Sequence, residues 1–301
     1  MSNARTFLWL FAYVQIGFVC LDLYEHWRLA RRTGTRHVVR RYGVLMFAVA
    51  GACVVYFVIQ IALASVLPTI GRLTDYVIRA SQVSMTQVDA RWTIPVFLGA
   101  FGTGTFFDYL VHRFLLHGFL WRLHENHHLP SVVSNVMPGI AARPFVVVPN
   151  FLINAGSSAA IFGMVRAIGR PQLIATFIHL VPALLLTFAF VASASHSIFL
   201  RRFDWAETVF RNLLLISPRE HLLHHGATIQ GNYGNFTAVW DRAFGTYIPP
   251  RGDDFPLGLD YDQDFLGAIT AGRFKLSTGA RSRYQVGRVC HLHEGTRPAA
   301  E

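Results

Sequence analysis

Charge is scarce in this chain. Of 301 residues only 15% are Asp, Glu, Lys or Arg, and just 17 are acidic. Soluble domains carry about a quarter charged residues, so an ordinary soluble globule is the first class to fall. Cysteine is scarce too. Cys20, Cys53 and Cys290 stand far apart, and the first two lie in apolar runs, which excludes a disulfide framework. There is no CxxC, no CxxCH and no P-loop. Gly102-Thr-Gly104 lacks the third glycine and the strand–helix setting of a dinucleotide fingerprint. It reads instead as a site of close helix packing. The chain thus carries no motif of its own for attached haem, nucleotide or dinucleotide.

What fills the chain is apolar surface. Hydrophobic residues make up 52%, with 25 phenylalanines. A membrane span needs about 20 apolar residues, and five runs approach that: Thr6–Tyr24, Gly43–Leu67, Thr93–Val111, Pro144–Val165 and Leu173–Ala194. The first holds Gln15 and Asp22, and reads as an anchor, since no small-residue cleavage site follows it. Between the first two runs lie Arg28, Arg31, Arg32, Arg36, Arg40 and Arg41. The positive-inside rule puts this loop in the cytoplasm. The net charge of +10 comes from arginines that flank apolar runs, which suits headgroups and topology and not nucleic acid. The expected fold is an all-α, polytopic membrane helix bundle, four or five of its runs spanning, with a cytoplasmic helical cap. The expected divisions are 1–92 for the N-terminal helices and basic loop, 93–250 for a catalytic region and 251–301 for a cytoplasmic tail.

Histidine is the residue that clusters. HRFLLHGFLWRLHENHH holds His112, His117, His124, His127 and His128, and HLLHH holds His221, His224 and His225. The HxxHH spacing occurs in both, and there is no other internal repeat. Positions i, i+3 and i+4 share a helix face, so each triplet is able to aim two or three imidazoles at one point. His112 and His117 are five apart, about 140° around an α-helix. They reach two adjacent metals, or the helix deforms at Gly118. Eight histidines exceed the ligand count of one ion, so two metals are expected. Imidazole suits iron, zinc, copper and nickel. His196, just past the last run, is the best ninth ligand. An even number of crossings separates the basic loop and the two clusters, so all three fall on one face. Asp108, Glu125 and Glu220 lie beside box histidines and are candidates to accept their second N–H. His179, inside the last run, reads as a packed polar residue.

These residues resemble the fatty acid hydroxylase/sterol desaturase superfamily of integral membrane di-iron enzymes. The boxes His112/His117, His124/His127/His128 and His221/His224/His225 follow that family's order. LWRLHENHH, ISPREHLLHH and NYGNFTAVWDRAFGTY (Asn232 to Tyr247) resemble its segments around the second and third boxes. The wording also resembles fatty acid 2-hydroxylases and carotenoid hydroxylases. Two departures stand out: Ser197 and Ile198 follow His196 where asparagine is common, and AARPFVVVP lacks a histidine–proline pair. The resemblance implies two non-haem irons, O₂ as co-substrate, and hydroxylation or desaturation of a lipid, sterol-like or fatty acyl C–H bond. It names no catalytic residue beyond the metal centre. It implies electrons from a separate reductase, ferredoxin or cytochrome. Asp241 and Arg242 are expected to lock the segment after the third box onto the site, and Asn232 to stand behind the ligands. A carotenoid-type hydroxylase is the nearest alternative. A metal transporter would need acids along the spans, and a haem cytochrome would need paired histidines within them.

Overall fold

The computed structural model describes residues 2–33, 88–128, 156, 159–164, 167–226, 230–250 and 259. Helix α1 spans Ser2–Thr33. A short 3-10 turn, Ala90–Trp92, leads into α2, Thr93–Leu110, which passes directly into a π-helix at Val111–Phe119. Helix α3 is Trp121–His124, followed by a 3-10 turn at Glu125–His128. Helix α4 is Pro171–His196, α5 is Asp204–Asn212, α6 is Pro218–His224 and α7 is Val239–Ala243. No strand occurs among the described residues.

Among the described residues, two stretches are long and apolar enough to cross a membrane: Ala90–Phe119 and Pro171–His196. At 1.5 Å per residue the second is roughly 39 Å long, more than the ~30 Å hydrocarbon core. Pro171 opens it at the first helical turn, where a missing N–H costs nothing. Expected runs at 43–67 and, for the most part, 144–165 lie outside the described residues, as do His37, His291, His293 and the end of the chain.

Three long helices run in the same sense. On α1 and α4, Ser193 Oγ donates to Gln15 Oε1 (3.3 Å), Ser197 Oγ donates to Asp22 Oδ1 (2.7 Å), and Arg202 pairs with Glu25 (2.7 Å). The residue numbers rise together along both chains. On α2 and α4, Asp89 N–H donates to Thr176 Oγ1 (3.3 Å), and Phe101 stacks on Phe188 at 5.3 Å. Parallel helices put their C-terminal ends together, and those ends carry His112, His117 and His196. The polar residues of α1 therefore have partners: Gln15 and Asp22 each accept from an α4 hydroxyl, the inter-helix bonding expected where water is absent.

Two apolar clusters fasten the bundle. Ala100, Leu173, Ile174, Phe177, Leu180 and Leu184 join α2 to α4, and Ile161 packs with them. Phe18, Ala194, Leu200, Ala206 and Phe210 join α1, α4 and α5. Gly104 is the close-packing glycine, since a Cβ there would press on the Phe188 ring at 3.0 Å. At Gly102 a Cβ would meet nothing, so only one of the two glycines has the expected packing role.

Candidate metal centre

The π-helix settles how His112 and His117 are arranged. Its hydrogen bonds reach five residues back, as in Leu120 N–H to Leu115 O at 2.6 Å, so residues five apart come nearly into register. The two rings lie 5.0 Å apart and face one site. The π geometry ends where Gly118 leaves helical conformation at φ −120°, ψ −112°.

All nine expected histidines come together, in two groups. His112, His117, His124, His128 and His224 form one, and His127, His196, His221 and His225 form the other. Within each group the ligand nitrogens lie within 4.8 Å of one another. The boxes divide by position. In each HxxHH the first and last histidines go one way and the middle one crosses to the other group. His127 crosses into the second group and His224 into the first. His117 is the partly exposed member; the other eight are buried. His179 is exposed on α4 and belongs to neither group.

The spacing of the nitrogens fits ions. Nε2···Nε2 separations are 3.0 Å for His112–His124, 3.1 Å for His124–His128 and 3.1 Å for His117–His224. In the second group they are 3.1 Å for His127–His196, 2.9 Å for His196–His221 and 3.2 Å for His221–His225. Two imidazoles bound at about 2.1 Å and set at a right angle would stand ~3.0 Å apart. Backbone carbonyls hold three rings so that Nε2 carries the lone pair. His112 Nδ1 donates to Tyr233 O (2.6 Å), His196 Nδ1 to Ala192 O (2.6 Å) and His224 Nδ1 to Gly231 O (3.0 Å). Lone pairs aimed at one another in a buried site repel unless a cation lies between them. Among the described residues no carboxylate or thiolate enters either group, and this all-imidazole donor set suits iron, zinc, copper or nickel.

Burial keeps these rings neutral. It holds His124, His128, His221 and His225 well below the ordinary imidazole range, and neighbouring imidazoles push the same way. His224 is lowered to about 4 by burial, against its bond to Gly231. Neutral imidazole is the form that binds a metal.

Local sequence explains the placement of α6. Ser217 Oγ accepts from Glu220 N–H (3.1 Å), and Ser217 N–H donates to Glu220 Oε2 (3.0 Å). This is a reciprocal capping box, with Pro218 in the first turn. Glu220 also accepts from the Tyr247 hydroxyl (2.6 Å). Its expected role as acceptor for a box histidine is therefore corrected: both its oxygens serve the helix start and Tyr247. Burial, with Glu220 beside it, pushes the Tyr247 hydroxyl up to about 12.

Asp108 is corrected in the same way. It accepts from Asn235 Nδ2 (3.1 Å) and Asn235 N–H (3.3 Å), because His112 already spends its Nδ1 proton on a carbonyl. Glu125 is buried beside His124. Asn232 and Asp241 both hydrogen-bond to the main chain of the segment that follows the third box or to its neighbours. Asn232 takes the left-handed conformation (φ 52°), which asparagine tolerates. Its Nδ2 donates to Glu220 O (3.1 Å) and Ile248 O (2.9 Å). Asp241 accepts from Tyr233 N–H (2.8 Å), Gly234 N–H (2.8 Å) and Thr246 Oγ1 (2.7 Å). Gly234 is required there, because a Cβ would collide with Thr237 O. Arg242 lies over the Tyr247 ring at 3.6 Å.

Sequence reasoning missed Tyr233, Gly231 and Ala192, whose carbonyls orient ligands. A main-chain acceptor leaves no side-chain signature. It also missed Ser217, though the pattern Ser-Pro-Arg-Glu was the signal for a capping box. Trp121 and Tyr233 flank the first group, with Trp121 5.3 Å from His117 and 5.4 Å from His128, and Tyr233 5.1 Å from His117.

Residues 97–246 match the family model for the fatty acid hydroxylase domain. Searches of the curated proteins and of the solved structures give no match.

Proposed function

The chain belongs, through residues 97–246, to the fatty acid hydroxylase family, and from that premise we propose that it is an integral membrane di-iron oxygenase acting on a lipid C–H bond. The observation that carries this reading is the pair of all-imidazole groups at the common end of three parallel helices. Family membership indicates an oxidoreductase of lipid hydroxylase or desaturase type. The finer assignment is ours: two irons, O₂, and an electron pair from a separate reductase, ferredoxin or cytochrome.

Bound iron would supply the power to activate O₂ and take hydrogen from an unactivated carbon. The nine histidines would hold the two ions, with His127 and His224 each tying its box to the opposite group. Tyr233, Ala192 and Gly231 carbonyls hold the Nδ1 protons of His112, His196 and His224, and so keep Nε2 free to bind. Trp121 and Tyr233 narrow the approach to the first group and exclude water from it. The boxes and the C-terminus face the cytoplasm in this reading, where a soluble or membrane-bound electron donor has access.

The test is metal analysis with lipid profiling. Protein purified from cells supplied with iron should hold an iron pair. Cells expressing the chain should gain a lipid species heavier by one oxygen than the control, or lighter by two hydrogens for desaturation. Well-folded protein without bound transition metal, together with an unchanged lipid profile, would refute the proposal. Zinc alone after overexpression calls for reconstitution with iron, since imidazole sites accept both.

A further inference from the structure

Outside the metal centre, five aromatic side chains form a continuous row across the ends of α1 and α4. Successive ring centroids stand 5.9 Å apart for Trp27–Tyr24, 6.2 Å for Tyr24–Phe199, 5.2 Å for Phe199–Phe203 and 5.7 Å for Phe203–Trp205. Phe199 and Phe203 pack against the cluster of Phe18, Leu200 and Phe210, and the other three rings are open. Trp27 and Tyr24 are half-exposed, and Trp205 is 57% exposed. Two guanidinium groups lie over it: Arg31 sits 4.2 Å from the Trp27 ring, and Arg202 sits 5.7 Å from Phe199 and 5.2 Å from Phe203.

Two acids of α1, Asp22 and Glu25, fix this row in place. Asp22 accepts from Ser197 Oγ (2.7 Å) and Phe199 N–H (3.3 Å), which holds the turn after α4 against α1. Buried Glu25 bridges Arg28 and Arg202, at 2.7 Å to each. The guanidinium of Arg202 is thereby held at the level of the rings.

Helix α5 extends the same surface. Its inward stripe is Ala206 and Phe210. A second apolar stripe, Trp205 and Val209, points outward and continues into Leu213 and Leu214, which are 63% and 62% exposed. Asp204, Thr208 and Arg211 form a separate polar strip. Leu214 adopts φ 57°, a region unfavourable for a leucine. Its carbonyl accepts from Thr237 Oγ1 and its N–H donates to Arg211 O, so the protein holds a strained turn that presents two leucines outward. The inward stripe packs on the flank of α4, where Phe190 stacks on Phe210 at 6.4 Å.

We propose that this aromatic row and the outer stripe of α5 form an interfacial belt seated in the headgroup layer of the bilayer, with Arg31 and Arg202 reaching lipid phosphates. Amphipathic aromatic rings sit at that depth, and an in-plane helix with one apolar stripe buries it at the headgroup–acyl boundary. The guanidinium fork matches phosphate, which favours lipid over a second protein copy as the occupant. His196 ends α4 three residues before Phe199, so the histidine centre lies at the depth of the belt. The proposal rests on the membrane reading above.

Nitroxide labelling of the full chain in lipid nanodiscs tests it. In a background with Cys20, Cys53 and Cys290 replaced by serine, labels are placed singly through Trp205→Cys, Leu213→Cys, Thr208→Cys and Leu185→Cys. Collisions with oxygen should exceed collisions with a water-soluble nickel chelate at 205 and 213, and the order should reverse at 208. Position 185, exposed on α4, should be the most oxygen-accessible of the four. Labels at 205 and 213 as open to nickel as 208 would overturn the belt. Labels there shielded from both agents would also overturn it, by showing a protein partner. A nickel-accessible label at 185 would instead refute the membrane reading itself.

Discussion

The two histidine groups are built from different distances in sequence. Four of the five members of the first, His112, His117, His124 and His128, come from one stretch of 17 residues, and only His224 arrives from afar. The second draws its four from three separate places: His127, His196, and the pair His221 and His225. Their support differs as well. In the first group His112 and His224 are each held by a carbonyl of the 231–233 segment. In the second, His221 Nδ1 and His225 Nδ1 are buried without a hydrogen-bond partner among the described residues. The first group is thus a local construction reinforced by one loop. The second is a tertiary construction that exists only when α3, α4 and α6 are docked. Each borrows one histidine from the other's box, so each group needs both boxes in place.

That exchange yields the largest expected effect. His127→Ala and His224→Ala each remove the single residue that crosses between groups. Both variants should lose activity and fall from a pair of ions toward one, read by metal analysis of folded protein. A variant keeping full metal and full turnover would break the idea that the groups are interlocked.

Next comes Asp241→Asn. It keeps the shape but weakens the acceptor for Tyr233 N–H and Gly234 N–H. A hydrogen bond to a charged group is worth about 1.5–3 kcal/mol, so a stability loss of about 2 kcal/mol is expected in thermal or denaturant unfolding. Because Tyr233 carries the carbonyl that orients His112, metal at the first group should weaken by about tenfold. An equal weakening at both groups would erase the contrast in their support.

Acid should then separate metal-free protein from its unfolded chain. His224 is held at about 4 against an ordinary 6.5. A depressed imidazole is more easily protonated in the unfolded chain, so stability is fully present above about pH 6.5 and falls as pH drops toward 4. His124, His128, His221 and His225 are shifted in the same direction. A melting temperature of metal-free protein that stayed flat between pH 7 and 4.5 would contradict the buried, neutral cluster.

The smallest effect is expected at Ser217→Ala. Losing the cap costs about 1 kcal/mol, and since α6 supplies His221 and His224 to opposite groups, both should loosen together. Loss confined to one group would show that α6 is not a shared support of both.

The site was unusually legible in its residues, and its wiring was not. HxxHH twice, with a pair five apart before the first, points to eight ligands, and His196 past the last run makes a ninth, because imidazole at helical spacing has few other uses in an apolar chain. The same spacing suggests that a triplet shares one metal. In the structure each triplet is split instead. The three rings on one helix face fan apart, and the facing helix supplies the missing ligand. The separation of His112 and His117 was ambiguous on an α-helix and is resolved by the π-helix, a departure the local sequence does not announce except through Gly118. Acids adjacent to ligands looked like their partners. Asp108 proved to serve Asn235, because a carbonyl had already taken the His112 proton, and Glu220 to serve a helix cap and the Tyr247 hydroxyl.

The sequence by itself determined the chemistry on offer: long apolar helices, nine neutral nitrogen donors and a segment after the third box that is short, glycine-bearing and rich in hydrogen-bonding side chains. Those follow from composition and from spacings within single helices. Only the tertiary structure decided which nitrogen shares a site with which. That choice depends on three helices running parallel, so that residues 112, 127, 196 and 224 meet across more than a hundred positions of chain. No local periodicity encodes such a meeting; it is set by the side chains packed between α1, α2 and α4 and by the loop that Asp241 holds closed.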